Sequence, residues 1–384
     1  MHEQVEKILA ETSVENLTLI ARGVLGDDSA TLAGDTTFTE LTAHHNDART
    51  IGIIRASGTA VSVRHGSHHN WSSVVKVIDM NGEAVGPAHW ISTESLENEP
   101  RIYEHGLMSN PSVPFRAAEC YFSQEYDNGV KALWLEDLTT APQPPWSLDQ
   151  FIRTANHVGQ FNGYYSQNEI DPSIHVIENS YLIRWQTDEQ KSSVESFTSS
   201  PNTDFINRAF GDVPINSAAR FEQLFQQLLL ESATSPANLS FGDCHARNMF
   251  PLGGETVAID WANLTFDPIG VDIGVLAGSA LSWGQEEALL AISHEKDLFE
   301  SYMAGMLSSG WSGNERDVRK GFFCQFGGYL SMLPPYLLND FSNEAVRRTV
   351  ENRLGIDIDS FPEYMAPIIA LLPTYIEEIE SLLD

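Results

Sequence analysis

The chain predicts a two-lobed α+β fold, with a small β-rich N-terminal lobe over residues 1–137 and a larger α-helical C-terminal lobe over 138–384. Three observations carry that reading. From about Phe38 onward the pattern is β-like, a Pro-rich connector stands at Ala141-Pro142-Gln143-Pro144-Pro145, and beyond it apolar residues recur at helical spacing. A length of 384 residues with 42% hydrophobic content is enough for two lobes and a large core.

The elements follow in order. Residues 5–25 read as a helix followed by a connector. Residues 50–54 and 60–64 read as strands flanking a Gly-bearing turn at Ser57-Gly58-Thr59, and 73–78 is a further strand, β-branched and apolar around Lys76. Residues 92–108 are helix-like and carry Glu94, Glu97, Glu99 and Glu104, with Pro100 drawing the helix start toward itself. Residues 132–138 form an apolar strand ending in Glu136 and Asp137. Ser147-Leu148-Asp149-Gln150 is a capping box that opens an amphipathic helix through Phe151, Ile152, Ala155, Val158 and Phe161. Phe221, Leu224, Phe225, Leu228 and Leu229 keep the spacing of a helix core stripe, and Pro236 ends that helix. After Asp272, residues 273–281, 289–307, 318–333 and 366–383 are helix-like. The acids Glu286, Glu287, Asp340 and Glu344 lie in this lobe, and nothing in the pattern directs them inward.

Residues 241–272 carry the chemistry. Phe241-Gly242-Asp243-Cys244-His245-Ala246-Arg247-Asn248 precedes an extended run from Met249, turn residues Gly253-Gly254, and a returning run Val257-Ala258-Ile259 that ends in Asp260. Pairing those strands brings Asp260 back beside Asn248. One loop then gathers two carboxylates and an amide. Oxygen-only ligands suit a hard cation, and Mg²⁺ is usually held by a few side chains plus substrate phosphates. An Asp to position a hydroxyl, with an Asn and an Asp for metal, is the part list of kinase-type phosphoryl transfer. Read alone, Lys76 is either an edge-strand charge or a strand lysine that contacts nucleotide phosphates.

The pattern resembles the aminoglycoside phosphotransferase and choline kinase superfamily, whose loop reads His-Gly-Asp, four residues, Asn, then Ile-Asp-Trp. The resemblance implies a protein-kinase-like fold and transfer of the γ-phosphate of ATP to a hydroxyl of a small molecule. It makes Asp243 the catalytic Asp, Asn248 and Asp260 the ligands of Mg²⁺, and Asp272 a buried brace of the loop. It also implies that Lys76 contacts phosphates, paired with Glu99 (followed four residues later by Tyr103) or with Glu97, and that the Glu136 segment is the hinge at the adenine edge. Ser57 and Gly58 stand where a phosphate cradle or a plain hairpin turn would lie. Two positions depart from the family. Phe241 replaces the usual His and suits a packing role, and Arg247 replaces a common Gly, reaching a phosphate or the surface. His245 occupies the place of a phosphate-contacting lysine; charge stabilisation, orientation of Asp243 and packing are all open to it.

Other classes find no footing. There is no Gly-x-x-x-x-Gly-Lys-Ser/Thr loop, no His-Glu-x-x-His and no Gly-x-Ser-x-Gly. The net charge of −31 argues against nucleic acid or an anionic membrane as partner. It serves solubility, or steers a cationic acceptor. Cys120, Cys244 and Cys324, odd in number and widely spaced, suit reduced thiols in a cytoplasm, and the polar start and the lack of a long apolar run lead us to expect neither a signal peptide nor a membrane span. His44, His45, His65, His68 and His69 fall on predicted turns and read as a solvated hairpin rather than a metal site. A catalytically silent, kinase-shaped binding protein is the second class, on the strength of Phe241 and the Gly-poor turn.

Overall fold

The computed structural model describes residues 2–41, 49–82, 97–126, 129–185, 194–200, 202–339 and 341–384. His44, His45, Glu94 and Asp340 lie outside these residues. Two helices open the chain, α1 (Glu3–Glu11) and α2 (Val14–Leu25), where the sequence predicts one. The break falls at Ser13, whose hydroxyl accepts the Asn16 N–H at 3.1 Å and so starts α2 afresh.

The N-terminal lobe is an antiparallel sheet of β1 (Ala30–Leu32), β2 (Thr37–Glu40), β3 (Thr50–Ser62), β4 (His68–Asp79), β6 (Cys120–Glu125) and β7 (Val130–Glu136), in the order β1-β3-β4-β7-β6 with β2 also on β3. Val75 and Val77 are buried against α1 and α2 with Val5, Ile8, Ile20 and Trp134. Strand alternation therefore turns Lys76 to the opposite face, toward α3 (Asn98–His105) and the other lobe. One expectation is corrected here. Ser57 and Gly58 form no turn: β3 runs straight through them, with Ser57 opposite Ser72 and Gly58 opposite Trp71. The β3–β4 turn falls on residues 63–67, with Gly66 at φ 64°. Lys76 stands opposite Ile53, toward the other end of that hairpin, which removes the geometric basis for a phosphate cradle at Ser57-Gly58.

The strand β5 (Phe115–Ala117) leaves the main sheet and pairs in parallel with β11 (Glu255–Ala258), which is itself hairpinned to β10 (Met249–Leu252). Ile102, Tyr103 and Phe115 thereby join the same core as the helical lobe, although β7 ends at Glu136 and the next helix opens only at residue 148. The helical lobe runs α4 (Leu148–Tyr165), β8 (Ile177–Glu178), α5 (Ser180–Trp185), α6 (Val194–Thr198), α7 (Thr203–Phe210), α8 (Asn216–Ser232), β9 (Ala237–Ser240), β10, β11, β12 (Thr265–Pro268), α9 (Val271–Ala280), α10 (Gln285–Ser293), α11 (Glu295–Ser308), α12 (Glu315–Met332), α13 (Glu344–Leu354), α14 (Phe361–Ile369) and α15 (Leu372–Leu383). Ser147 and Gln150 close the capping box of α4 reciprocally. Two stretches that read as single helices are pairs: α10 and α11 break at His294, and α14 and α15 break where Pro373 opens the second. Among the described residues, no helix is long and apolar enough to cross a membrane.

The helix α4, which carries a residue of the loop brace, packs tightly on α11. A Cβ on Gly159 would lie 2.1 Å from the Tyr302 carbonyl oxygen, and one on Gly305 would lie 2.1 Å from that of Asn156. Gly305→Ala must push the helices apart, and overpacking of this kind costs about 1–3 kcal/mol. The urea midpoint should fall at unchanged m-value; a midpoint equal to that of the wild type would contradict the packing argument.

Candidate active site

The β10–β11 hairpin closes as its residues dictate. Met249 pairs with Ala258 and Leu252 with Glu255, and Gly253 takes the positive φ of 56° that the two-residue turn demands. One further hydrogen bond, Ile259 N–H to Asn248 O at 2.9 Å, extends the ladder and sets Asp260 beside Asn248. On the other side of the loop, Asn248 Nδ2 donates to Asp243 Oδ2 at 2.9 Å. Asp260 itself has φ 61°, a left-handed conformation uncommon outside glycine and the kind of local strain that clusters at functional sites. Gly242, at φ 81°, is required for a second reason: a Cβ there would meet the Asn263 carbonyl oxygen at 2.0 Å.

Asp272, fully buried at the start of α9, holds the loop from beneath. It accepts the N–H groups of Phe241 (2.8 Å) and Gly242 (3.0 Å) and the Asn162 side-chain amide (2.9 Å). Asn162 is fixed in turn by the Tyr302 hydroxyl at 2.9 Å. Phe241 packs edge-on to Trp261 and Phe115, with centroids 4.7 and 5.6 Å away, so its ring belongs to the core. Burial pushes the Asp272 carboxyl up to about 6, against the pull of its three donors. Between the ordinary 3.8 and about 6 the folded protein thus keeps a proton that the unfolded chain releases. The stability contributed by this group is full below that window and declines as pH rises through it. Asp272→Asn turns one acceptor into a donor facing an N–H, at a cost of about 2–4 kcal/mol. It should also flatten the pH dependence of the melting temperature across the window; an unchanged slope would contradict the assignment.

The structure brings Lys76, Glu99 and Asp260 together across the lobes. Lys76 Nζ lies 2.8 Å from both Glu99 oxygens and hydrogen-bonds Asp260 Oδ1. Burial alone would pull the ammonium down, but Asp260 and Glu99 outweigh it and hold the lysine above its usual range. Glu97 pairs instead with Arg101 one turn along its own helix.

Other expected residues are placed differently. Glu136 donates its backbone N–H to Glu119 O at 2.8 Å, and its carboxylate is taken by Arg116 (2.7 Å) and the Glu119 N–H (3.2 Å). The Glu136 N–H and carboxylate are thus engaged within the protein. Arg247 is half-buried and engaged within the protein. Its guanidinium lies 3.9 Å over the Trp283 ring and pairs with buried Glu287 at 3.2 Å. Burial raises the Glu287 carboxyl and Arg247 opposes that rise, so the cation is where an acid inside the lobe needs it. Glu344 pairs with Arg348 on the helix surface. His245 Nε2 stands 3.6 Å from Asp243 Oδ1, and its Nδ1 is buried without a hydrogen-bond partner among the described residues. Cys244 is buried, and burial holds its thiol well above the usual range.

Three residues absent from the sequence reading also touch the loop. Arg184 donates to Gly242 O at 2.8 Å, Asn263 Nδ2 lies 3.5 Å from Asp243 Oδ2, and Asn162 acts through Asp272. Only Asn162 left a trace, as a polar residue inside the apolar face of α4. Asn248 and Asp260 offer hard oxygen donors, and the Asp260 side chain is 44% exposed beside the Lys76 cation. Two such ligands fit a Mg²⁺ that brings waters and phosphate oxygens with it. Among the described residues no group of three or more His, Cys, Asp or Glu side chains forms an all-protein cage.

No protein-family model and no curated protein matches the chain. Among solved structures it is similar to a microcompartment-associated aminopropanol kinase, with TM-score 0.48 and 12% identity over 94% of this chain and 98% of that one. It is similar also to a spectinomycin phosphotransferase in complex with ADP and spectinomycin, with TM-score 0.45 and 12% identity over 96% and 99% of the two chains. A third is an amicoumacin kinase in complex with AMP-PNP and Ca²⁺, with TM-score 0.43 and 13% identity over 99% and 96%. The solved structures to which the chain is similar are described as aminoglycoside phosphotransferases and other small-molecule kinases.

Proposed function

We propose that the chain is an ATP-dependent kinase that moves the γ-phosphate to a hydroxyl of a small molecule, at the loop of Asp243, Asn248 and Asp260. Bound Mg·ATP supplies the phosphoryl group and a metal charge that offsets the charge on its oxygens. Lys76, braced by Glu99, is placed to bind the α- and β-phosphates once Asp260 releases it. Asn248 and Asp260 would hold the metal. Asp243 orients the acceptor hydroxyl and receives its proton as the new P–O bond forms and ADP departs. Positioning and fixed charge supply nearly all of the acceleration in such chemistry. The three free thiols suit a reducing cytoplasm, and the acidic surface suits a cationic acceptor such as an aminoglycoside or a choline-like amine, with neutral sugars as the alternative.

The observation that carries this reading is the hydrogen bond from Ile259 N–H to Asn248 O, which sets the Asp243–Asn248 pair beside the Lys76–Asp260 pair. A thermal-shift scan combined with a coupled ADP-release screen over hydroxylated amines, sugars and antibiotics tests it. Mg·ATP should raise the melting temperature by linkage, and at least one acceptor should accelerate ADP release. No stabilisation by Mg·ATP or Mg·ADP, with no ADP release across the panel, would refute it.

A further inference from the structure

The carboxylate of Asp243 is held from two directions, and one of the residues that hold it lies outside the loop motif. Asn248 Nδ2 donates to Oδ2 at 2.9 Å, and Asn263 Nδ2 approaches the same oxygen at 3.5 Å. Oδ1 is faced only loosely, by His245 Nε2 at 3.6 Å, and the Asp243 side chain keeps 30% of its surface open. Asn263 is itself fixed. It ends a single 3₁₀ turn, Trp261–Asn263, and its carbonyl oxygen sits against the space that Gly242 leaves by lacking a Cβ. Trp261, at the head of that turn, is fully buried and donates its indole N–H to Ala258 O at 2.9 Å. Asp260 immediately precedes the turn. One short segment, anchored by buried Trp261, therefore ties the carboxylate beside Lys76 at its start to the carboxylate of Asp243 at its end.

Resting on the kinase reading above, we propose that Asn263 is a positioning residue for phosphoryl transfer: with Asn248 it fixes Oδ2 of Asp243 and leaves Oδ1 as the oxygen that meets the acceptor hydroxyl. A carboxylate oxygen offers about two lone-pair directions; on Oδ2 the Asn248 amide takes one at 2.9 Å and the Asn263 amide faces the other from 3.5 Å, close enough to tighten onto it when an acceptor is bound. The hydroxyl proton accordingly passes to Oδ1. In the same step the hydroxyl oxygen bonds to the γ-phosphorus, and the bond from that phosphorus to the bridging oxygen breaks, its electron pair leaving with ADP. Asn263 touches neither nucleotide nor acceptor and acts through Asp243 alone. Without its amide, the carboxylate is free to rotate out of the plane in which Oδ1 faces the hydroxyl.

The test is steady-state kinetics of Asn263→Ala and of the isosteric Asn263→Asp, which keeps the side-chain shape but presents an oxygen to Oδ2. The acceptor is whichever the ADP-release screen selects, with water as acceptor otherwise. For both variants kcat should fall about tenfold or more, while KM for ATP and the calorimetric affinity for Mg·ADP stay within about twofold of wild type. In an Asp243→Ala background the second substitution should cost nothing further, because the two side chains act as one unit. A kcat near that of the wild type overturns the proposal, as does a fall matched by lost nucleotide affinity, or full additivity with Asp243→Ala. Asn263→Asp keeps the question answerable if the alanine variant misfolds. A wild-type chain that neither binds Mg·ADP nor releases ADP overturns the kinase reading instead, and the wild type alone tells the two failures apart.

Discussion

Asp243→Ala should leave Mg·ATP binding nearly intact while turnover falls by about 10²–10⁴-fold, the range expected when a positioned proton acceptor is removed. The asymmetry follows from geometry. The groups assigned to the nucleotide are Lys76, Asn248 and Asp260, and none depends on the Asp243 carboxylate for its place in the chain. Asn248 is held by its backbone bond to Ile259, and Asp260 by the hairpin and the buried turn that follows it. Asn248 loses one side-chain partner in the variant, a small effect on affinity beside the loss of the group proposed to align the hydroxyl. Single-turnover ADP release, with calorimetry alongside, separates the two quantities. Turnover retained at the wild-type level would remove Asp243 from the role assigned to it.

The second large effect is expected at Asp260. Asp260→Ala removes the oxygen proposed to hold the metal and the partner of Lys76, and the affinity for Mg·ATP should drop by at least about tenfold. The substitution also leaves a residue with a Cβ but no polar side chain at φ 61°, where the left-handed backbone costs about 1–2 kcal/mol. Asp260→Asn separates these contributions, since asparagine tolerates that conformation and keeps an oxygen while losing the charge. If charge is what binds the metal, Asp260→Asn should resemble the alanine variant in calorimetry and the wild type in thermal stability. Undiminished affinity in both variants would contradict the assignment.

The parts of the site that the sequence revealed are those built from neighbours along the chain. Gly253-Gly254 between two extended runs specifies the hairpin, and the hairpin places Asp260 by Asn248. Lys76 stands out as a lone charge in an apolar strand, and Glu99 as a carboxylate at the start of a helix four residues ahead of a tyrosine. What the sequence hid depends on partners far away in the chain. Ser57-Gly58 looks like a turn, but the missing Cβ of Gly58 accommodates the Trp71 indole, whose Nε1 would lie 3.1 Å from it, and the strand continues. Arg247 looks free until Glu287 and Trp283 arrive from the start of α10. Glu136 has the place of a hinge residue, yet Arg116 and Glu119 from the preceding segment claim it. Arg184 and Asn263 reach the loop by contacts that no local pattern encodes, and Asn162 shows only as a polar residue within an apolar helix face. The breaks within the paired helices were equally hidden, since helical periodicity continues across His294 and across the short joint before Pro373.

The most direct measurement of the shared-ion claim is a calorimetric titration of ATP into the wild-type chain, once with excess Mg²⁺ and once with the divalent ions chelated. Asn248 and Asp260 as metal ligands beside Lys76 predict binding at least about tenfold tighter with Mg²⁺, and loss of that difference in Asp260→Asn. Equal affinities in the two buffers, or a Mg²⁺ effect that survives the Asp260 substitution unchanged, would contradict it.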